Sequence, residues 1–240
     1  MMKQVVVIKF GGSIFSTSEE LIFNFKKVAL LKSLLEEFFV KYSFVVVVGG
    51  GYVARKYINL IENQKEYIEG NLEKSKHEIG VAAINLNAVM LKNMFREDQV
   101  EEFIPRYNDF DFDTPIQIKK NILISAAGHP GHSSDYNAFK LAVRTNSNLV
   151  ISLKDIDGVY SKDPKKYEDA YKIDKLTWSE YLEIIGETHF APGANFPVDP
   201  ITAQKANGSG VKFIIIKGGD EFEELRTYLE NNSHNGTLIY

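Results

Sequence analysis

No cysteine occurs anywhere in the 240 residues. That excludes disulfides, a thiol nucleophile and a cysteine-ligated metal, and it fits a reducing compartment. Proline is scarce, at 7 residues, and nowhere clusters into a rigid linker. No basic surplus exists either: 28 Lys and Arg face 32 Asp and Glu, for a formal net charge of -4. Non-specific nucleic-acid binding is therefore not expected. No apolar run is long enough to span a membrane. The apolar start is broken by Lys9, two glycines and then Glu19 and Glu20, too soon for a signal peptide. A cytoplasmic protein without membrane attachment is the expectation.

What is present is ordinary for a globular chain, with 44% hydrophobic and 25% charged residues. The length suits one large α/β domain or two small ones. No linker and no internal repeat divides it, so a single domain over residues 1–240 is expected.

The chain is organised around its first strand, Val5-Val6-Val7-Ile8, and the Lys9-Phe10-Gly11-Gly12-Ser13 that ends it. Four β-branched apolar residues without alternation read as a strand buried on both faces, as in a parallel sheet. Lys9 then falls at the carboxyl end, where open α/β sheets bind ligands. Glycines let the backbone turn sharply and approach an anion closely, and successive N–H groups of such a turn can hold phosphate oxygens. The pattern recurs at Phe44–Val48, which runs into Gly49-Gly50-Gly51 and a helical segment. A helix start offers free N–H groups and a positive dipole end. Arg55 lies one turn in and can reach the same anion.

Between these strands, an apolar stripe of Leu21, Phe25, Val28, Leu31, Leu35 and Phe38 predicts a core helix, opened by Ser16-Thr17-Ser18-Glu19-Glu20. Residues 64–95 read as helical and less regular, and 107–115 as a loop or short helix. A strand at Ile122–Ser125 leads into Ala126-Ala127-Gly128-His129-Pro130-Gly131-His132-Ser133-Ser134-Asp135, with Ser134 or Asp135 as cap of the next helix. His129 and His132 are spaced like a metal pair. With no third ligand nearby, a loop that hydrogen-bonds a polar ligand is the expectation. After the strand Leu149–Leu153, Lys154-Asp155-Ile156-Asp157-Gly158-Val159-Tyr160 and Asp163-Pro164 form a polar loop, in which Tyr160 can flank a flat base. Thr177-Trp178-Ser179-Glu180 is a capping box. Val198–Gly208 reads as a helix with Pro200 in its first turn, Val211–Ile216 as the last buried strand and Glu221–Leu229 as a helix. Thr237–Tyr240 reads as a short edge strand. The alternation predicts a three-layer α/β/α sandwich with a mostly parallel central sheet.

Three of these loops together resemble the amino-acid kinase superfamily: Lys9 to Ser13, Gly49 to Gly51 with Arg55, and Asp155 to Tyr160 with Asp163-Pro164. Within it the chain looks most like the archaeal type of uridylate kinase. Gly51-Tyr52-Val53-Ala54-Arg55-Lys56-Tyr57-Ile58 resembles that family's Gly-x-x-Ala-Arg-x-Tyr-Ile. His129 to Asp135 is similar to its Thr-His-Pro-Gly-His-Thr-Thr-Asp loop, and Asp199 to Lys205 to its Asp-Pro-Leu-Ala-Ala-Lys helix. The resemblance implies transfer of the γ-phosphoryl group of ATP to UMP in pyrimidine nucleotide synthesis, with magnesium carried by ATP. It implies that Lys9 contacts the transferred group, that Asp135 orients Lys9, and that Arg55 reaches nucleotide phosphate. Gly12, Ser13 and Gly51 would line the ATP phosphates, and Lys154, Asp155, Tyr160 and Asp163 the ATP base and ribose. Gly50, His77, Gly128, His129, Pro130, Gly131, His132, Ser133 and Ser134 would hold UMP. The N-terminal part would thus bind the acceptor and the C-terminal part ATP. A hexamer built from dimers (a trimer of dimers), through the helix after Glu19, is also implied.

Three positions depart from that pattern. His77 stands where the family commonly has an aspartate, Ala126-Ala127-Gly128 replaces Gly-Gly-Thr, and Lys154-Asp155 replaces Thr-Asn. Two rivals follow: a kinase of the same superfamily with another acceptor, or a non-catalytic nucleotide-binding or storage protein on the same fold. An aspartokinase is not expected, because the chain stops where regulatory domains would begin. An isopentenyl phosphate kinase is disfavoured because Tyr52-Val53-Ala54-Arg55 follows the glycines in place of Ser-Phe-Gly-His.

Overall fold

A computed structural model describes residues 3–103, 114–126, 133–186 and 196–240. Its strands are β1 (Gln4–Phe10), β2 (Tyr42–Val48), β3 (Val100–Phe103), β4 (Ile122–Ser125), β5 (Leu149–Lys154), β6 (Val159–Tyr160), β7 (Lys172–Ile173), β8 (Lys175–Leu176), β9 (Lys212–Lys217) and β10 (Thr237–Ile239). Eight form one sheet in the order β3-β4-β2-β1-β5-β9-β10-β8, and β6 and β7 pair separately. Every pairing in the large sheet is parallel except β9 with β10. The helices are α1 (Gly12–Phe15), α2 (Phe25–Glu37), α3 (Gly51–Asn63), α4 (Leu72–Lys92), α5 (Ser134–Arg144), α6 (Trp178–Ile185), α7 (Pro200–Ala206) and α8 (Glu223–Asn231).

Strand alternation divides the core into two layers. Val6, Ile8, Phe10, Phe44, Val46 and Val48 pack with Val28 and Leu31 of α2, Leu91 of α4 and Leu225 of α8. Val7, Val45, Val47 and Val150 face the other way, onto Ala138 and Phe139 of α5, Trp178 of α6 and Ala203 of α7. The expected α/β/α sandwich is thus formed. β1 has β2 on one side and β5 on the other. The chain therefore reverses its direction of travel across the sheet at β1, which opens a crevice beyond the carboxyl ends of these strands.

Several local expectations are corrected. The helix expected from Leu21 begins at Phe25, because Asn24 is its cap and accepts a hydrogen bond from Lys27 N. Leu21 and Phe25 are consequently exposed, and Val28, Leu31, Leu34 and Leu35 carry the buried face. Ser16 does not open α2 but closes α1 as its C-cap, and its hydroxyl and carbonyl both accept from Tyr52 N. The segment 64–95 is interrupted before Leu72, where Asn71 caps α4. Ser133, one residue before Ser134 and two before Asp135, caps α5. The C-terminal strand is not at the edge: β10 lies between β9 and β8. Its outer partner β8 is two residues long, too short to show any periodicity. The capping box at Thr177 and Glu180 forms as expected. Part of the 107–115 loop and residues 127–132 lie outside the described residues.

Candidate active site

Lys9 precedes the last residue of β1 and shares the parity of Val7, so its side chain points to the α5 layer. In register it pairs with Ser152 of β5, and Phe10 pairs with Leu153. Lys154, two residues beyond Ser152, therefore projects from the same face of the adjacent strand. Between them stands Asp135, in the first turn of α5. Its Oδ1 is 3.1 Å from Lys9 Nζ and its Oδ2 is 3.5 Å from Lys154 Nζ. The three side chains are 7%, 13% and 8% exposed for Lys9, Lys154 and Asp135. Burying an ammonium costs several kcal/mol. The flanking strands offset this with a row of fully buried valines and isoleucines at about 1.5–3 kcal/mol each.

The electrostatics follow from that crowding. Burial pushes the Asp135 carboxyl up, but the Lys154 and Lys9 ammonium groups outweigh it and hold Asp135 below its ordinary value. Burial dominates at Lys154 and pushes its ammonium down to about 7, with Asp135 opposing and Lys9 reinforcing the shift. One carboxylate thus serves two cations.

The two glycine turns sit side by side above this cluster. A Cβ on Gly12 would lie 2.6 Å from Gly51 Cα, and one on Gly49 would lie 2.6 Å from Gly12 N. Gly51 also has a φ of +63°, in the left-handed region. Glycine is required here first because the two turns interlock, backbone on backbone. Access for an anion is a second consequence of the same bareness. α3 starts at Gly51, so its N-terminal dipole end faces the cavity. Arg55 reaches back across it and donates from Nη1 to Ser13 Oγ at 3.5 Å.

A cavity of about 470 Å³ joins these parts. Among the expected site residues it is lined by Lys9, Gly12, Ser13, Gly50, Gly51, Arg55, His77, Ser133, Ser134, Asp135, Lys154 and Asp155. Tyr160 and Asp163 are not brought to it. The Tyr160 hydroxyl donates to Asp157 Oδ1 at 2.9 Å, and Asp163 accepts from Lys165 N and pairs with Lys166. Gly128, His129, Pro130, Gly131 and His132 lie outside the described residues. Lys154, expected beside base and ribose, instead has its ammonium at Asp135.

Asp199 was missed as a site residue. It lines the cavity, caps α7 through Thr202 N, and accepts from the hydroxyls of Ser133 and Thr202. Burial and the nearby Asp135 charge push its carboxyl up, against the hydrogen bonds from Ser133 and Thr202. The Asp-Pro pair was legible as a helix start, whereas its contact with the start of α5 was not. The apolar wall of Ile58, Val81 and Ile84, from α3 and α4, was also unforeseen. Among the described residues, no group of three His, Cys, Asp or Glu could hold a metal ion, and no helix is long and apolar enough to cross a membrane.

Cationic residues, interlocked glycine turns and a helix start at the mouth of a parallel sheet define an anion-handling α/β enzyme site. The model of the amino acid kinase family matches residues 4–217, and the chain belongs to that family. It is 33% identical to the uridylate kinase of Methanococcus maripaludis strain C7, over 98% of each chain. It is 30% identical to that of Thermococcus sibiricus, again over 98% of each. The crystal structure of uridylate kinase from Archaeoglobus fulgidus matches with a TM-score of 0.74 at 26% identity, covering 100% of both chains. The UMP kinase structure from Bacillus anthracis, 21% identical, shares the fold with a TM-score of 0.77 over 100% of this chain and 96% of its own.

Proposed function

We propose that this chain is a UMP kinase, transferring the γ-phosphoryl group of ATP to UMP to give ADP and UDP. The observation that carries the reading is the buried Lys9–Asp135 pair, 3.1 Å apart, at the base of a cavity walled by two interlocked glycine turns. The acceptor is already an anion: the second ionisation of a phosphate monoester lies near pH 6. No strong base is needed. A UMP phosphate oxygen attacks Pγ, the bond from Pγ to the β-bridging oxygen breaks, and its electrons leave with ADP. The protein's task is to align two mutually repelling anions and to meet the charge that spreads over the equatorial oxygens. Lys9 supplies a cation there, Asp135 holds Lys9 without taking a proton, and Arg55 with the turn N–H groups gathers the remaining phosphates. Magnesium would enter as part of the ATP substrate and would offset the charge of its phosphates. In this reading Gly50, His77 and the loop from Gly128 to Ser134 hold UMP. The names of the relatives support UMP as acceptor. A cytoplasmic homo-oligomer, a hexamer arranged as a trimer of dimers, belongs to the same proposal, and a monomer on size-exclusion chromatography with light scattering would remove it.

The test is ADP release with MgATP against UMP, CMP, dUMP, aspartate, N-acetylglutamate, isopentenyl phosphate and no acceptor. Turnover with UMP well above the rest is the expected result. Preference for another acceptor would keep the ATP half and reassign the pocket around His77. ATP binding without turnover of any acceptor would leave a binding protein.

A further inference from the structure

We propose that Lys154 is a second phosphate-binding cation of this site, which leaves Asp135 for the oxygens of the bound phosphates. The inference rests on the phosphoryl-transfer reading for its substrate, though not for its geometry.

Three observations carry it. Lys154 and Lys9 project from the same face of neighbouring parallel strands, so both ammonium groups reach the same end of the cavity. They share one carboxylate, with Lys154 the more distant at 3.5 Å against 3.1 Å. Lys154 Nζ also donates to a neutral carbonyl, that of Phe196, at 3.3 Å, and among the described residues it pairs with no carboxylate besides Asp135. A lysine acting only as a structural strut would have a carboxylate to itself, because an incompletely compensated buried cation is costly. Two cations on one carboxylate, open to a cavity, leave a positive surplus that an anion would satisfy.

Other charged groups around Lys154 leave that surplus in place. Asp155 follows it in the chain and lines the cavity. Asp199, at the α7 cap, already accepts from Ser133 and Thr202. Arg55 of α3 and Lys76 and His77 of α4 line the far wall, and Lys217 of β9 is its partner in sheet register.

Burial holds the Lys154 ammonium down to about 7 in the free protein. A phosphate beside it favours the charged form and raises that value. Nucleotide binding above pH 7 should then take up a proton at Lys154, and affinity should weaken as pH rises further.

The experiment is calorimetric titration of the protein with the magnesium complex of β,γ-imido-ATP at pH 7.5, in two buffers of different ionisation enthalpy. Wild type, Lys154→Arg and Lys154→Met are compared, with melting curves to establish folding. Wild type should take up about half a proton or more per site. Lys154→Arg, charged at every pH used, should bind with little proton uptake and retain part of the turnover. Lys154→Met should bind without uptake and lose about 10²–10³-fold in turnover, as for removal of a preorganised donor. Unchanged proton uptake in folded Lys154→Arg would overturn the proposal, because the proton would then reside elsewhere. Wild-type turnover in folded Lys154→Met would overturn it as well. Calorimetry needs no acceptor, so it decides the role of Lys154 even if UMP proves not to be the substrate.

Discussion

Lys9 Nζ lies 3.1 Å from Asp135 Oδ1, with both side chains almost closed to water, one at the end of a central strand and the other in the first turn of a helix. Strand and helix meet only in the folded chain, so the pair is a product of the tertiary structure. Removing the cation should abolish chemistry without unfolding the protein. Lys9→Ala leaves Asp135 paired to Lys154, so no bare buried charge results. Turnover is expected to fall at least tenfold, and on the order of 10²–10³-fold if Lys9 acts as a preorganised donor. Steady-state kinetics beside circular dichroism would check this; full turnover in a folded variant would take Lys9 out of the mechanism.

Removing the acid should do the opposite and damage the fold. Asp135→Asn strips two buried ammonium groups of the carboxylate they share. Breaking a buried pair in this way typically costs about 3–5 kcal/mol. Asp135 is held below its ordinary value, by two ammonium groups that outweigh its burial. Its contribution is therefore present above the unfolded carboxyl pKa of about 3.9 and is lost as pH falls through the lower folded value. Urea unfolding at pH 7 and pH 3 should show a large gap between wild type and variant at the first and a smaller one at the second. Equal gaps would contradict the assignment.

The interlocked turns should tolerate no side chain. Gly51→Ala places a Cβ 2.6 Å from Ser16 Oγ and on a backbone with φ of +63°. The left-handed backbone alone costs roughly 1–2 kcal/mol, and the displaced turn should also weaken ATP binding. A lowered urea midpoint with a raised KM for ATP is expected. An unchanged midpoint would mean that the two turns move apart freely.

Asp199 offers a graded test of the second helix cap. Asp199→Ala should cost about 1 kcal/mol through loss of the cap to Thr202 N. Asp199→Asn keeps a capping oxygen and should cost less. Burial and the Asp135 charge push this carboxyl up, so the wild type loses stability from this group as pH rises from the unfolded value through the raised folded one. Asp199→Asn should lack that loss, and chemical denaturation between pH 4 and 8 would read it. Identical pH dependence in the two proteins would count against the raised value.

What the sequence by itself determined was the frame. Unbroken β-branched runs at Val5–Ile8, Phe44–Val48 and Leu149–Leu153 can be satisfied only by strands covered on both faces, and that requirement sets the three-layer class. The glycine turns and Lys9 stood out for a related reason, since local chemistry marks a strand end wherever it interrupts an apolar run. Boundaries ruled by single side chains were less legible: Asn24 in place of Ser16 to Ser18, Ser133 in place of Ser134, and the two-residue β8 beside β10.

Only the tertiary structure decided what those residues meet. Lys154 looked like part of a base-binding loop until strand register set it beside Ser152 and Lys9, on the face that Asp135 occupies. Asp199 falls inside the Val198–Gly208 stretch that reads as a helix, and only the fold makes it the cap of α7 and brings it to Ser133 at the start of α5. Tyr160 and Asp163 follow the same strand in sequence, yet the chain carries them to other partners. Pattern along a chain reports which faces must be buried, because burial acts on each element separately. Which charges share a carboxylate depends on register between strands distant in sequence, and no local pattern encodes it.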